Sequence, residues 1–269
     1  MRLELRHSGI WQLSSAVLSR DGAVVVVDPG YFPRELDELS RLAREHGEVL
    51  AVAFTHGHWD HVLGWRSFPG AAVWTSPRLA AAMRDGSAER NLSDARDFDG
   101  RWYVERGAPY AWPPPERVRP LGEGDAPTIG DLGLRALTLP GHSADGLGLH
   151  VPSAGLLLCG DYLSPCEIPF VEDLAAYRAT LRRLLALLGE LQTVVPGHGP
   201  LLTAAQARAL AEEDLCYLDA LARCAELGDV AAAQGLSLPR AAGVPGMAEH
   251  HLDNLRAAGL APAGISKGV

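Results

Sequence analysis

The run Val49-Leu50-Ala51-Val52-Ala53-Phe54-Thr55-His56-Gly57-His58-Trp59-Asp60-His61 combines two patterns in one stretch. Residues 49–54 form a short apolar, partly β-branched segment of the kind that makes a buried strand. Immediately after it, three imidazoles and a carboxylate fall between positions 56 and 61, where the strand leaves the core. Packing alone does not call for that density of histidine. A borderline divalent cation does, because zinc accepts imidazole nitrogen and carboxylate oxygen at about 2.0–2.2 Å. Gly57 permits the tight backbone path that turns successive side chains toward one centre.

The same address recurs along the chain. His142 follows Leu139-Pro140-Gly141, Asp161 follows Leu158-Cys159-Gly160, and His198 follows Val195-Pro196-Gly197, each at the end of an apolar run and each preceded by glycine. Loops at strand ends are where catalytic groups are placed. The candidate ligands His56, His58, Asp60, His61, His142, Asp161 and His198 outnumber the donors of one tetrahedral ion, so two divalent metal ions are expected. Zinc is the first choice, with iron or manganese as alternatives, since the same donors accept all three.

Around these points the chain alternates strand and helix. A β-branched run over 22–28 closes with Pro29-Gly30, and Pro33 opens a helix with a Leu36, Leu39, Leu42, Ala43 stripe that stops at Gly47. Further strands are predicted over 71–75, 134–139, 147–151, 155–159 and 193–195. Further helices are predicted over about 171–188, 203–227 and 247–260. With no repeat and no linker, the economical reading is one α/β domain over 1–269, with C-terminal helices at about 203–260.

The stretch 91–120 interrupts this pattern with Trp102, Tyr103, Tyr110, Trp112 and Pro113-Pro114-Pro115. It reads as an aromatic insertion that either packs on its own scaffold or walls a substrate pocket. In the second case Trp102, Tyr110 and Trp112 contact substrate, and Tyr162, next to Asp161, donates to a substrate oxygen. His250-His251 reads as an ordinary exposed helix N-terminus. His7, His46 and His150 read as strand or helix residues.

The 269 residues carry Lys+Arg 24 against Asp+Glu 33, a formal net charge of -9. That balance argues against a protein whose main task is to neutralise a phosphate backbone, so nucleic acid is not expected as a partner. No apolar stretch approaches the roughly 20 residues of a membrane span, and the N-terminus has no basic segment followed by an apolar one. A cytoplasmic protein acting on a small molecule, away from membranes, is expected; the oligomeric state is left open. The four cysteines include no C-x-x-C pair, which gives neither a disulfide framework nor a cysteine zinc site.

The H-x-H-x-D-H cluster, followed in order by Gly-His, Gly-Asp and a second Gly-His, resembles the metallo-β-lactamase-fold hydrolases. The resemblance runs from Asp28-Pro29-Gly30 to His198-Gly199-Pro200. It implies a four-layer α/β/β/α sandwich with a binuclear site along one edge of the facing sheets. It also implies His56, His58 and His142 at one metal and Asp60, His61 and His198 at the other, with Asp161 bridging and Asp28 as a structural support. The expected chemistry is attack by a metal-bridging hydroxide, with Asp60 both ligating and accepting a hydrogen bond from it.

The ligand set is similar to that of glyoxalase II and unlike that of true β-lactamases, which lack a bridging aspartate at this position. After Asp161, however, the segment 162–169 departs from the Gly-Arg pattern of glyoxalase II and persulfide dioxygenases. Ser164 stands near where lactone-cleaving members carry tyrosine. The reading is a binuclear hydrolase of a small ester, thioester or lactone. The alternatives are a phosphodiesterase or ribonuclease of the same fold, an iron-dependent thiol (persulfide) dioxygenase, and a non-catalytic metal-binding sensor module.

Overall fold

Alternation of side chains along the strands sets the layers. In a computed structural model, which describes residues 1–107, 109–240 and 246–260, the first sheet contains β1 (Arg2–His7), β2 (Ser14–Arg20), β3 (Ala23–Val27), β4 (Glu48–Ala53), β5 (Ala72–Thr75) and β6 (Val118–Pro120). They lie side by side in that order. The first three are antiparallel neighbours and β3 to β6 run parallel. On β3, Val25 and Val27 face one cluster and Val24 and Val26 the opposite one; Ala51 and Ala53 are divided from Val52 in the same way on β4. That is the period of two expected of a strand buried on both faces.

The outer face is covered by α1 (Pro33–His46), which buries Leu36, Leu39, Leu42 and Ala43 as its spacing predicts. The short α2 (Trp59–Val62) carries the end of the histidine cluster, and α3 (Pro77–Asp85) and α4 (Glu89–Trp102) follow. A small hairpin, β7 (Thr128–Ile129) and β8 (Leu132–Gly133), leads to the second sheet. This sheet comprises β9 (Arg135–Thr138), β10 (Leu147–Val151), β11 (Leu156–Leu158), β12 (Thr193–Val195) and β13 (Leu202–Thr203), in the spatial order β13-β12-β11-β10-β9.

Leu147, Leu149, Val151, Leu156, Leu158 and Val195 of the second sheet pack on Ala16, Leu18, Val25 and Val27 of the first. Each aliphatic side chain fully buried in this layer contributes about 1.5–3 kcal/mol of transfer free energy. Leu157 and Val194 point the other way, to α5 (Leu174–Leu187) and α6 (Ala204–Leu227). The result is the expected α/β/β/α sandwich. α5 starts where the Asp173 side chain caps Ala176 N, and α6 starts in a Thr203–Gln206 capping box. The chain continues through α7 (Val230–Gln234) and α8 (Met247–Ala257). Residues 261–269 of the expected domain lie outside the described residues. Among the described residues no helix is long and apolar enough to cross a membrane.

Two expectations are corrected. The stretch 91–120 does not break the helical pattern throughout: its first part lies in α4, held by buried Leu92, Ala95 and Asp99. The third of these is a carboxylate, bonded to Arg106, Tyr31 and Tyr110, so the buried stripe does not read as apolar. His250-His251 is not an exposed helix start either. His251 is buried between Tyr217 and the Ala233 carbonyl, and the His250 ring packs on Phe170 at 3.9 Å between centroids.

Candidate metal centre

Four loops at the strand ends converge on one edge of the sandwich. The loop after β4 carries His56 and His58 and leads into α2 with Asp60 and His61; His142 follows β9, Asp161 follows β11 and His198 follows β12. Glycine is required where these loops meet. A Cβ on Gly197 would overlap Asp161 Oδ1, and one on Gly141, at φ 129°, would overlap the backbone of Tyr177. The glycines before the ligands are therefore spacers that let the loops touch.

The donor atoms form two sets. In the first, His142 Nε2 lies 3.3 Å from His56 Nε2 and 3.1 Å from His58 Nδ1, and Asp161 Oδ2 lies 3.5 Å from His56 Nε2 and 3.3 Å from His142 Nε2. In the second, His61 Nε2 lies 3.3 Å from His198 Nε2, and Asp60 Oδ2 lies 3.6 and 3.5 Å from those two nitrogens. Asp161 joins the second set as well, with Oδ1 at 3.3 Å from His61 Nε2 and Oδ2 at 3.5 Å from His198 Nε2.

Zinc–nitrogen bonds of about 2.0–2.1 Å place the corners of a tetrahedron about 3.3 Å apart. The spacing within each set matches that edge, so the residues fit a cation at each. The buried Asp161 Oδ1 finds no hydrogen-bond partner among the described residues, as expected of an oxygen meant for a cation.

Hydrogen bonds on the far side of the His56 and His198 rings, and a carboxylate beside that of His61, set their orientation. Thr55 Oγ1 donates to Asp28 Oδ2 at 2.7 Å and so accepts from His56 Nδ1 at 3.1 Å. His61 Nδ1 lies 3.0 Å from Asp28 Oδ2, and His198 Nδ1 donates to the Trp11 carbonyl at 3.0 Å. Each arrangement leaves an Nε2 lone pair directed inward.

Burial holds His56 well below the ordinary histidine range and pushes His142 down to about 3. Both are thus kept neutral, the form that ligates a metal. Burial acts in the same sense on His61 and His198, but facing carboxylates outweigh it. Asp161, Asp60 and Asp28 raise His61 well above its usual value, and Asp161 and Glu167 are the main groups that take His198 up to about 10. That half of the centre is a negative field suited to a cation.

The centre opens into a cleft of about 640 Å³. His58, Asp60, His142, Asp161 and His198 line it, together with Trp11, Trp59, Glu167, Phe170 and His250. Of the last five only His250 stands out in the sequence, where it reads as part of an exposed helix start. Trp59 sits inside the histidine cluster and offered a signal; the others reach the cleft only through tertiary contacts.

The proposed substrate contacts lie elsewhere. Tyr162 is buried, its hydroxyl donating to Pro140 O at 2.7 Å and accepting from His142 N at 3.1 Å. Tyr110 donates to Asp99 Oδ2 at 2.6 Å, Trp112 packs in the cluster beneath α1, and Trp102 is 64% exposed. None of the four lines the metal cleft. From the 91–120 stretch it is Asn91 and Asp94, in the first turns of α4, that do so.

Comparison with known proteins agrees with this geometry. The family model described as "Metallo-beta-lactamase superfamily" matches residues 9–198. The chain is 32% identical over 193 residues to the acyl-coenzyme A thioesterase MBLAC2 of Gallus gallus, covering 65% of this chain and 68% of that protein. It is 31% identical over 146 residues to a hydroxyacylglutathione hydrolase of Thermosynechococcus vestitus, covering 53% of this chain and 44% of that one.

Among solved structures, the metallo-beta-lactamase family protein TTHA1429 from Thermus thermophilus superposes with a TM-score of 0.65 at 21% identity, over 96% of this chain and 93% of that one. TTHA1623, in a di-iron-bound form, gives 0.55 at 26% identity over 76% and 96%. With its histidine and aspartate clusters set at the edge of this sandwich, the chain belongs to the metallo-beta-lactamase superfamily, as a metal-dependent hydrolase.

Proposed function

We propose that the protein is a binuclear hydrolase of small carbonyl substrates, with thioesters placed before esters and lactones. The observation that carries this reading is the pair of donor sets sharing Asp161, each with the edge length of a tetrahedral site. His56, His58 and His142 would hold one ion, Asp60, His61 and His198 the other, and Asp161 both. Zinc is the first candidate and iron or manganese the alternatives. The named activities of the two curated relatives, on acyl groups carried by coenzyme A or glutathione, favour thioesters.

Ions bound there supply Lewis-acid polarisation of the substrate carbonyl and a water acidic enough to attack near neutral pH. The chain's own residues do the rest. Asp60 Oδ2 is turned toward His61 and His198, which leaves Oδ1 to accept the proton of the attacking water. Asp28 and Thr55 fix the rings of His61 and His56, and the Trp11 carbonyl fixes that of His198. Trp11, Trp59 and Phe170 give the cleft apolar walls that limit water around the reacting carbonyl.

The test is a panel of p-nitrophenyl acetate, a glutathione thioester, an acyl-homoserine lactone and bis-p-nitrophenyl phosphate, run beside metal analysis. Oxygen uptake with glutathione persulfide is a parallel arm. Two metal equivalents and chelator-sensitive thioester turnover are expected. Turnover of the phosphodiester or persulfide alone, or fully metallated protein inert to every carbonyl substrate, would overturn the proposal.

A further inference from the structure

The Asp60–His61–His198 set has a neighbouring carboxylate that the resemblance does not include. Glu167 lines the cleft from the segment where the sequence departs from the glyoxalase II pattern. Its carboxylate offers an oxygen that lies, with donor atoms of Asp161 and His198, in a group all within 4.8 Å of one another. Among the described residues no hydrogen bond or salt bridge engages this carboxylate, whereas the Glu167 backbone carbonyl accepts from Arg240 Nε at 2.9 Å.

The segment is braced against the ligand itself. Ser164 Oγ donates to the His198 carbonyl at 3.2 Å and accepts from Cys166 N at 3.2 Å. Ile168 N is held by Met247 Sδ at 3.3 Å. Pro165 and Cys166 fill the space beside Gly199, 2.7 and 2.8 Å from where a Cβ would stand. The interactions that bring Glu167 to the cleft thus run through His198 and its successor, and a free carboxylate is held beside the second donor set.

The two positions then differ in chemistry. The first offers three imidazole nitrogens and one shared carboxylate. The second offers the imidazoles of His61 and His198 with the carboxylate of Asp60, and His198 also groups with the carboxylates of Asp161 and Glu167. Carboxylate-rich, higher-coordinate surroundings suit manganese or ferrous iron, whereas the nitrogen-rich tetrahedral set suits zinc. We propose that Glu167 is an additional carboxylate ligand of the Asp60–His61–His198 position and biases it toward a manganese- or iron-type ion, while the His56–His58–His142 position keeps zinc. The inference rests on the two-metal reading above.

The test is metal retention by the 269-residue chain, loaded with manganese in one arm and zinc in the other and dialysed against graded chelator. Bound metal is counted by elemental analysis, and manganese is followed by its electron paramagnetic resonance signal. Glu167→Gln is expected to weaken manganese retention at one position by about tenfold or more, the lower end of what even ligand-supporting partners contribute, with zinc at the other position unchanged. Glu167→Asp, which keeps the charge but shortens the reach, is expected to behave like Gln.

Manganese retention within twofold of the parent in Glu167→Gln, or full rescue by Asp, would overturn the ligand assignment, the latter by showing that only the charge matters. A parent protein that binds a single ion would overturn the two-metal reading and this inference with it. Two ions in the parent with an indifferent Glu167→Gln overturn this inference alone.

Discussion

Asp28 Oδ2 lies 3.0 Å from His61 Nδ1 while Asp28 Oδ1 accepts Thr55 N at 2.8 Å, so one buried carboxylate orients one candidate ligand and anchors the start of the segment that carries three others. Asp28 sits at a left-handed φ of 48°, which turns it back toward that loop. Asp28→Ala is expected to weaken metal retention about 10–100-fold without removing a ligand. Chelator competition checks it; unchanged retention would show that His61 is held by other means.

Gly197→Ala places a methyl group on Asp161 Oδ1. The expected result is loss of at least one metal equivalent together with an overpacking cost of about 1–3 kcal/mol in unfolding stability. Gly189→Ala, in open space, is the control. Elemental analysis and denaturant titration separate the two effects.

Tyr162 links the His142 amide to the Pro140 carbonyl instead of reaching into the cleft. Tyr162→Phe leaves the buried His142 amide unpaired, while Pro140 O keeps the Thr180 hydroxyl, and a stability loss of about 1–3 kcal/mol is expected. KM for a thioester should stay within about twofold of the parent. A raised KM with unchanged stability would restore Tyr162 to the substrate.

Trp102→Ala, on an exposed ring away from the metal cleft, is expected to leave kcat/KM unaltered, whereas Asn91→Ala in the cleft wall should change it. Steady-state kinetics on the best thioester decides between them. A large effect at Trp102 alone would reinstate the aromatic lid.

His251 gives the C-terminal helices a pH dependence. Its Nδ1 meets the Tyr217 hydroxyl at 2.9 Å and its Nε2 meets the Ala233 carbonyl at 3.1 Å, while Asn254 Nδ2 donates to the same hydroxyl at 3.0 Å. With a neutral ring, Tyr217 donates to Nδ1 and accepts from Asn254; a protonated ring would have no lone pair left to accept that bond. Burial lowers the His251 pKa from 6.5, only partly countered by the Ala233 bond. The unfolded chain therefore takes up the proton first, so this contribution to stability is full above about pH 6.5 and is lost as pH falls toward the lowered value. Denaturant melts at pH 8.0 and 5.5 should show the loss in the parent and a smaller one in His251→Gln; equal losses would exclude this source.

The candidate ligands were legible because their chemistry and their position coincide: they follow apolar runs, and the glycines before them have a steric purpose that a linear pattern displays. The sandwich was legible for a related reason, since Val24 to Val27 alternate between two dry faces. α4 was hidden because its buried stripe ends in Asp99, whose charge is met by Arg106 from outside the helix. Trp11 and Glu167 were hidden because nothing local marks them, and His250 was visible but reads in sequence as an exposed helix start; all three reach the cleft through contacts between segments far apart in sequence. The aromatics of 102–112 misled for the opposite reason: bulk and rarity drew attention to residues of which Tyr110 ties to α4 through Asp99, Trp112 packs beneath α1, and Trp102 and Tyr103 stay exposed.

The hold of Trp11 on His198 has a consequence for how the protein is made. The two residues are 187 apart in sequence, and Ser14 N to Gly197 O and Gly199 N to Gln12 O tie the same segments together. A ribosome that has released the first four donors has still to deliver His142, Asp161 and His198, and the last of these settles only when the opening segment of the chain is already in place to receive it. Assembly of the Asp60–His61–His198 donor set is thus a late event in the life of the nascent chain, complete only when the segments around Trp11 and His198 have met.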